Sequence, residues 1–195
     1  GSAATGGGRS IEVGGTHGDD LGGIGALHRG NGVTGVDRAL EGVGADDGVI
    51  AAISTSAIAG IETSEIAQFS TAQIAAFTTS QAAQLTSSQV TAFTVDNIKG
   101  LESTDLQNLT TTAIKGLEST DLQALSATQL GGLTTSQIQV LGSDQIKGLT
   151  SSNYTALDSA DIAAISTSAI AGLQSAIINL LSSAQVTGFN SSQIA

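Results

Sequence analysis

The chain has 195 residues, a formal charge of −11 from 17 acids against 6 bases, and no cysteine, methionine, proline or tryptophan. Absent cysteine excludes disulfide staples, thiolate metal sites and thiol nucleophiles. The acidic balance disfavours nucleic acid and anionic bilayers, which need basic surface. At 40% apolar but only 3% aromatic content, any core is thin and assembled from Leu, Ile and Ala.

No run of about 18 apolar residues offers a membrane span, and no basic-then-apolar opening reads as a signal peptide. The Gly1-Ser2 start is compatible with a cloning scar, a processed N-terminus or the cut edge of a fragment.

Residues 1–48 form the first of two regions and hold sixteen of the 25 glycines, all three arginines and both histidines. Glycine at that density favours turns, loops or flexible linker. A weak helical pattern runs through Val36-Asp-Arg-Ala-Leu-Glu-Gly42. His17, Asp19, Asp20 and His28 are the one cluster with metal or acid–base character. Their spacing matches no metal-ligand pattern, so a polar loop is the expectation there. Gly14-Gly-Thr-His-Gly-Asp-Asp-Leu21 resembles the Gly/Asp calcium repeats of type-I-secreted proteins, but it occurs once and at a different spacing. No cofactor is expected, with calcium a minor alternative.

From residue 49 the chain becomes an array. An eight-residue unit repeats without insertion from Ile53 to the C-terminus, in about eighteen copies such as Leu133-Thr-Thr-Ser-Gln-Ile-Gln-Val140. Position one is always large and apolar, position six nearly always, with Ala82 and Tyr154 departing. Position three is Ser or Thr except at Val95 and Ala127, position five prefers Gln, Glu, Asp or Asn, and position eight is usually Ala or Gly. Longer blocks recur as well: residues 50–60 return at 162–172, and Gly100-Leu-Glu-Ser-Thr-Asp-Leu-Gln107 returns at 116–123.

The octad carries helix-start chemistry. Thr134 is suited to an N-cap and Gln137, three residues on, completes a capping box. Leu133 and Ile138 then stand at the two positions of a hydrophobic staple, and Ile138 shares a helical face with Leu141. Where Glu62, Glu102, Glu118 or Gln174 occupies position two, the hydroxyl residue at position three is expected to cap instead, shifting the start by one.

This opening resembles that of helices in the TAL-effector repeat, which begins Leu-Thr followed by Gln-Val. The likeness covers eight residues per unit. The second helix and base-reading loop of that family are missing, so its DNA function does not transfer.

One continuous helix is excluded because eight residues at 100° each rotate the apolar stripe by about 80° per unit. The expected fold is all-α, a solenoid of very short helices with one per octad. A β-solenoid is the alternative, favoured by Thr, Ile and Val and opposed by Ala, Gln, Leu and Glu. The expected spine includes Ile53, Ile58, Phe69, Ile74, Leu101, Leu106, Leu133, Ile138, Leu149, Leu157 and Ile162.

A single octad is too short to be helical alone. Burying two large side chains, at about 1.5–3 kcal/mol each, does not offset ordering eight backbones at about 1–2 kcal/mol each. Packing against the glycine-rich arm or sister subunits is therefore expected.

Array acids such as Glu102, Asp105, Glu118, Asp121, Asp158 and Asp161 read as helix-start charges that complement the dipole; a cation-binding ladder is the sharper alternative. Asn108-Leu-Thr110, Asn153-Tyr-Thr155 and Asn190-Ser-Ser192 fit the glycosylation pattern, as chance allows in so hydroxyl-rich a chain.

Repetition, small residues and absent cysteine together resemble large bacterial surface and biofilm proteins. That resemblance implies a structural, extracellular, self-assembling role with no enzymatic activity: a filament subunit, adhesin stalk or matrix component. A solenoid module binding carbohydrate or protein is the alternative.

Overall fold

A computed structural model describes residues 47–194; residues 1–46 of the glycine-rich arm, with His17, Asp19, Asp20 and His28, lie outside them, and Asp47 and Gly48 open the first described helix. Helices run from Asp47–Ala52 to Ser191–Ile194, each four to six residues long, with 3₁₀ turns at Asn97–Gly100 and Ile170–Gly172. No strand occurs among the described residues. The fold is an all-α repeat solenoid, and the β-solenoid alternative is set aside.

Helices such as Ser143–Gly148 stop where the chain goes extended for two residues, whereas others, such as Thr79–Ala82, pass first through an αR C-cap residue. Leu149, for example, has φ −66° and ψ 134°, and Thr150 after it has φ −81° and ψ 166° before Ser151–Ala156 begins. Thr150 then caps: its Oγ1 accepts the Asn153 N–H at 3.2 Å, while the Thr150 N–H donates to Asn153 Oδ1 at 2.9 Å. This reciprocal capping at the N-terminus satisfies backbone amides that have no carbonyl acceptor within so short a helix.

Helices three octads apart pack together. Ser119–Ala124 lies on Ser143–Gly148, Ala127–Leu130 on Ser151–Ala156, and Thr135–Gln139 on Ser159–Ala164. Each turn of the coil is thus built from three helices over 24 residues. Positions one and six line its interior. Ile58, Ile66, Ile74, Ile98, Leu106, Ile114, Leu122 and Ile162 have no exposed surface at all. All eleven residues named as the spine lie in this core. Phe69 and Phe77, at successive position ones, meet with ring centroids 6.2 Å apart and planes tilted by 50°.

The structure corrects one expectation about helix starts. Glu62, Glu102, Glu118 and Gln174 remain at the N-cap, and the helices begin at Thr63, Ser103, Ser119 and Ser175. At Glu62, Glu102 and Glu118 the start does not shift because the carboxylate at position five accepts the N-cap amide: the Glu102 N–H donates to Asp105 Oδ2 at 3.1 Å and the Glu118 N–H to Asp121 Oδ2 at 2.8 Å. Gln174 keeps the same frame although Ile177 supplies no such acceptor.

Glycine at position eight marks where one coil meets the next. A Cβ on Gly116 would stand 2.2 Å from the Ser87 carbonyl oxygen, and one on Gly172 would stand 2.0 Å from that of Ser143. Both obstacles are backbone 29 residues earlier, so neither can rotate away. A Cβ on Gly142, an exposed N-cap with φ −87° and ψ 170°, would meet only Gln145 Oε1, at an ordinary contact distance of 3.8 Å. Gly116→Ala is expected to lower stability by about 1–3 kcal/mol through forced backbone separation. Gly142→Ser is expected to raise it by about 0.5–1 kcal/mol, by adding a cap hydroxyl and stiffening the unfolded chain. Urea unfolding followed by circular dichroism checks both directions.

Candidate functional site

The array's chemistry is concentrated at position five. Gln81 shows its role. Its Oε1 accepts the Thr78 N–H at 2.7 Å and the Thr78 hydroxyl at 3.1 Å, closing its own helix start. Its Nε2 donates to the carbonyls of Ile50 at 2.8 Å and Ile53 at 2.7 Å, on the coil before. A primary amide has two acceptor lone pairs and two N–H donors, and here every one is used. That is why Gln81 can be buried to 1% exposure without an unmet polar atom.

The same tie recurs in register, reaching back 28 and 31 residues. Gln89 bonds Ile58 and Ile61, Gln137 bonds Leu106 and Leu109, and Gln145 bonds Ile114 and Leu117. Gln185 bonds Tyr154 and Leu157, and Gln193 bonds Ile162 and Ile165. Gln129 takes the Leu101 carbonyl at 2.7 Å and that of Lys99 at 3.1 Å. Asparagine, one methylene shorter, reaches a single carbonyl: Asn97 that of Ile66 at 2.9 Å, Asn153 that of Leu125 at 3.0 Å. The row of amides is a ladder joining successive coils.

Some rungs differ. Ala113, Ala169 and Ile177 bring no donor to position five. At one of these the loss is made good from elsewhere: the carbonyl of Ile146, 31 residues before Ile177, receives the Tyr154 hydroxyl at 2.9 Å. Tyr154 is the polar departure at position six, and burial pushes its phenol up to about 12, so it donates throughout the physiological range.

Asp105, Asp121 and Asp161 stand in the first helical turn, as their dipole-complementing role requires, but they are buried at 2%, 2% and 9% exposure. Burial, opposed by the hydrogen bond from the position-two amide and reinforced by the acid at that position, holds each carboxyl above its ordinary value. Glu102, Glu118 and Asp158 are exposed.

Elsewhere the surface is plain. Position four is exposed in every octad, giving hydroxyl rows such as Ser80, Thr104, Thr128 and Ser152 at successive turns of one side. An open groove is lined by Ser119, Gln123, Asp144, Lys147, Gly148 and Gln174. Among the described residues no three His, Cys, Asp or Glu converge in a way that could hold a metal, and no helix is long and apolar enough to cross a membrane. Of the three glycosylation patterns, Asn108 and Asn190 are exposed, while Asn153 is buried with its amide committed to Leu125.

The array does not present the same face everywhere. Across residues 178–194 the position-six side chains are exposed: Ile178 is 48% exposed, Val186 50% and Ile194 74%, with Leu180 at 56%. Their equivalents Ile146 and Ile162 are fully covered.

Position five was visible in the sequence only as half of a capping box. The signal for its second role is its long, amide-rich composition beside position four, which is equally polar yet varies among Ser, Thr, Asp and Ala.

Gln137→Leu keeps volume but strands the Leu106 and Leu109 carbonyls and the Thr134 N–H. An expected loss of about 2–4 kcal/mol follows from unmet buried groups. Gln123→Leu, at an exposed position seven, should change stability by under about 0.5 kcal/mol. Equal losses from the two variants in chemical denaturation would remove the ladder from the account.

The family model of the ALTTAQ repeat matches residues 58–95 and 114–151. No curated protein and no solved structure matches the chain. The matched stretches both lie within the octad array, and the chain is a tandem-repeat protein.

Proposed function

We propose that this repeat is structural: it extends an extracellular filament, adhesin stalk or biofilm matrix by stacking subunit on subunit. The observation that supports the reading is the stacking itself: along the described array, helices three octads apart pack on one another and are tied by position-five amides. A unit that is held by the units before and after it suits a role in extension.

Acidic charge and absent cysteine suit a solvated exterior stabilised by repetition in place of bridges. The glycine-rich residues 1–48 would dock onto the neighbouring subunit. The reading needs no cofactor, nucleic acid, membrane insertion or catalytic group.

Val186→Glu together with Ile194→Glu places charge on two exposed apolar side chains of the array while leaving the buried core intact. Assembly that rises with concentration, seen by sedimentation velocity and negative-stain microscopy, is expected for the parent chain and lost in the variant. Removing residues 1–48 should weaken assembly as well. A parent chain that stays monomeric at high concentration overturns the stacking role.

The exposed hydroxyl rows at position four support a second reading, a module that holds a polysaccharide or protein. A monomer retained on a polysaccharide column, and released when Thr104 and Thr128 become Val, would favour that reading.

A further inference from the structure

Besides the partly buried Glu65, three buried position-five residues carry a carboxyl where others carry an amide. Asn97 and Asn153 show how the slot is filled. The Asn97 Oδ1 accepts the Thr94 N–H at 2.8 Å and that of Asn153 accepts the Thr150 N–H at 2.9 Å, while each Nδ2 donates to a carbonyl of the coil before. Asp105, Asp121 and Asp161 are isosteric with them and take the corresponding amides of Glu102, Glu118 and Asp158 through Oδ2 at 3.1, 2.8 and 3.1 Å.

In the ladder register the other oxygen stands where Nδ2 stands in asparagine. By the offsets that Asn97 and Asn153 use, 31 and 28 residues back, the carbonyls assigned to that slot are those of Ile74 and Phe77 for Asp105, Val90 and Phe93 for Asp121, and Leu130 and Leu133 for Asp161. An ionised oxygen there meets acceptors only, in a buried slot. A protonated one is a donor.

We propose that Asp105, Asp121 and Asp161 are proton-binding rungs: each takes up a proton and donates it to a carbonyl of the preceding coil, so the solenoid tightens in acid and loosens as pH rises. The surroundings agree. Asp105 has Glu102 in its own turn, and the packed segments Thr79–Ala82 and Ala127–Leu130 bring no titratable group. Asp161 has Asp158 beside it, and Thr135–Gln139 and Ser183–Val186 bring none. Asp121 has Glu118 beside it. The segments packed on it carry Lys99, with Asp96 at its cap, and Asp144 with Lys147, all exposed. No cation is buried against any of the three to hold the charged form.

The sign follows from proton linkage. Each carboxyl binds its proton more tightly folded than unfolded. The stabilisation is fully present below the ordinary carboxylate value and is lost as pH rises through the raised folded value.

The test compares the full chain with the D105N/D121N/D161N variant and with a charge-matched control, E62Q/D96N/D144N, altered at exposed acids. Melting midpoints are measured from about pH 7.5 down to about pH 5, above the isoelectric point of about 4.2. The parent's midpoint should rise as pH falls. The amide variant should melt higher than the parent at about pH 7.5, by roughly 2–4 °C per position, with the pH slope flattened, while the control keeps the slope. An amide variant melting at or below the parent at about pH 7.5, or a control that reproduces its gain, overturns the proposal. A midpoint that rises with added calcium in the parent but not in the amide variant assigns the slot to a cation, and overturns it too. Carbon-detected NMR titration of the parent's aspartates provides a readout that needs no variant to fold: three midpoints above the ordinary carboxylate range support the rungs, and none there sinks them.

Discussion

A primary amide shared between two turns of chain holds this molecule together. One end of the position-five glutamine closes the start of its own helix, and the other clasps two carbonyls on the coil before. Local and long-range structure are thereby completed by the same side chain. A helix of four to six residues has no stability of its own in water. It persists here because the groups that would fray are secured by atoms already fixed to the neighbouring turn. Each such bond nets only about 1 kcal/mol, but leaving its buried partners unmet costs more than the bond itself contributes, so the ladder resists loss of single rungs.

The spine and the ladder divide the work. Leucine and isoleucine at positions one and six supply the non-directional drive toward burial, which does not select one stacking register over another. The amides supply the register, since a Nε2 donor meets a carbonyl 28 residues back and a second one 30 or 31 residues back. Coils also approach through backbone where the amide is missing: Gly116 and Gly172, in octads with Ala113 and Ala169 at position five, have no room for a Cβ. Thin apolar content is then no handicap, because coils that touch through backbone need little side-chain volume between them.

Much of this was written in the octads. The period, the helix starts and the buried positions follow from Leu133, Thr134, Gln137 and Ile138 by ordinary capping and staple rules. The number of octads per turn does not, because each unit is nearly equivalent to the next and none signals where the chain comes back on itself. The second use of Gln137 was hidden for a related reason: its capping role already accounted for the residue. Asp105 and Asp121 looked like helix-start charges because nothing within eight residues reveals that another coil covers them. The frame shift expected at Glu62 and Glu102 failed because Glu65 and Asp105 accept the N-cap amide regardless of what precedes them.

Bonding by relative offset has a genetic corollary. Deleting or duplicating one whole octad leaves nearly every remaining unit with a partner of the same kind at the same separation, so recombination in steps of eight residues is structurally cheap. The exterior is not spared: each such step carries all later surface residues a third of a turn around the axis. The block Gly100–Gln107 and its copy at 116–123 are two octads apart, and therefore look out in different directions. Lineages of this array can change length freely while reshuffling which side chains are displayed together, unless selection holds one flank fixed and admits only multiples of three.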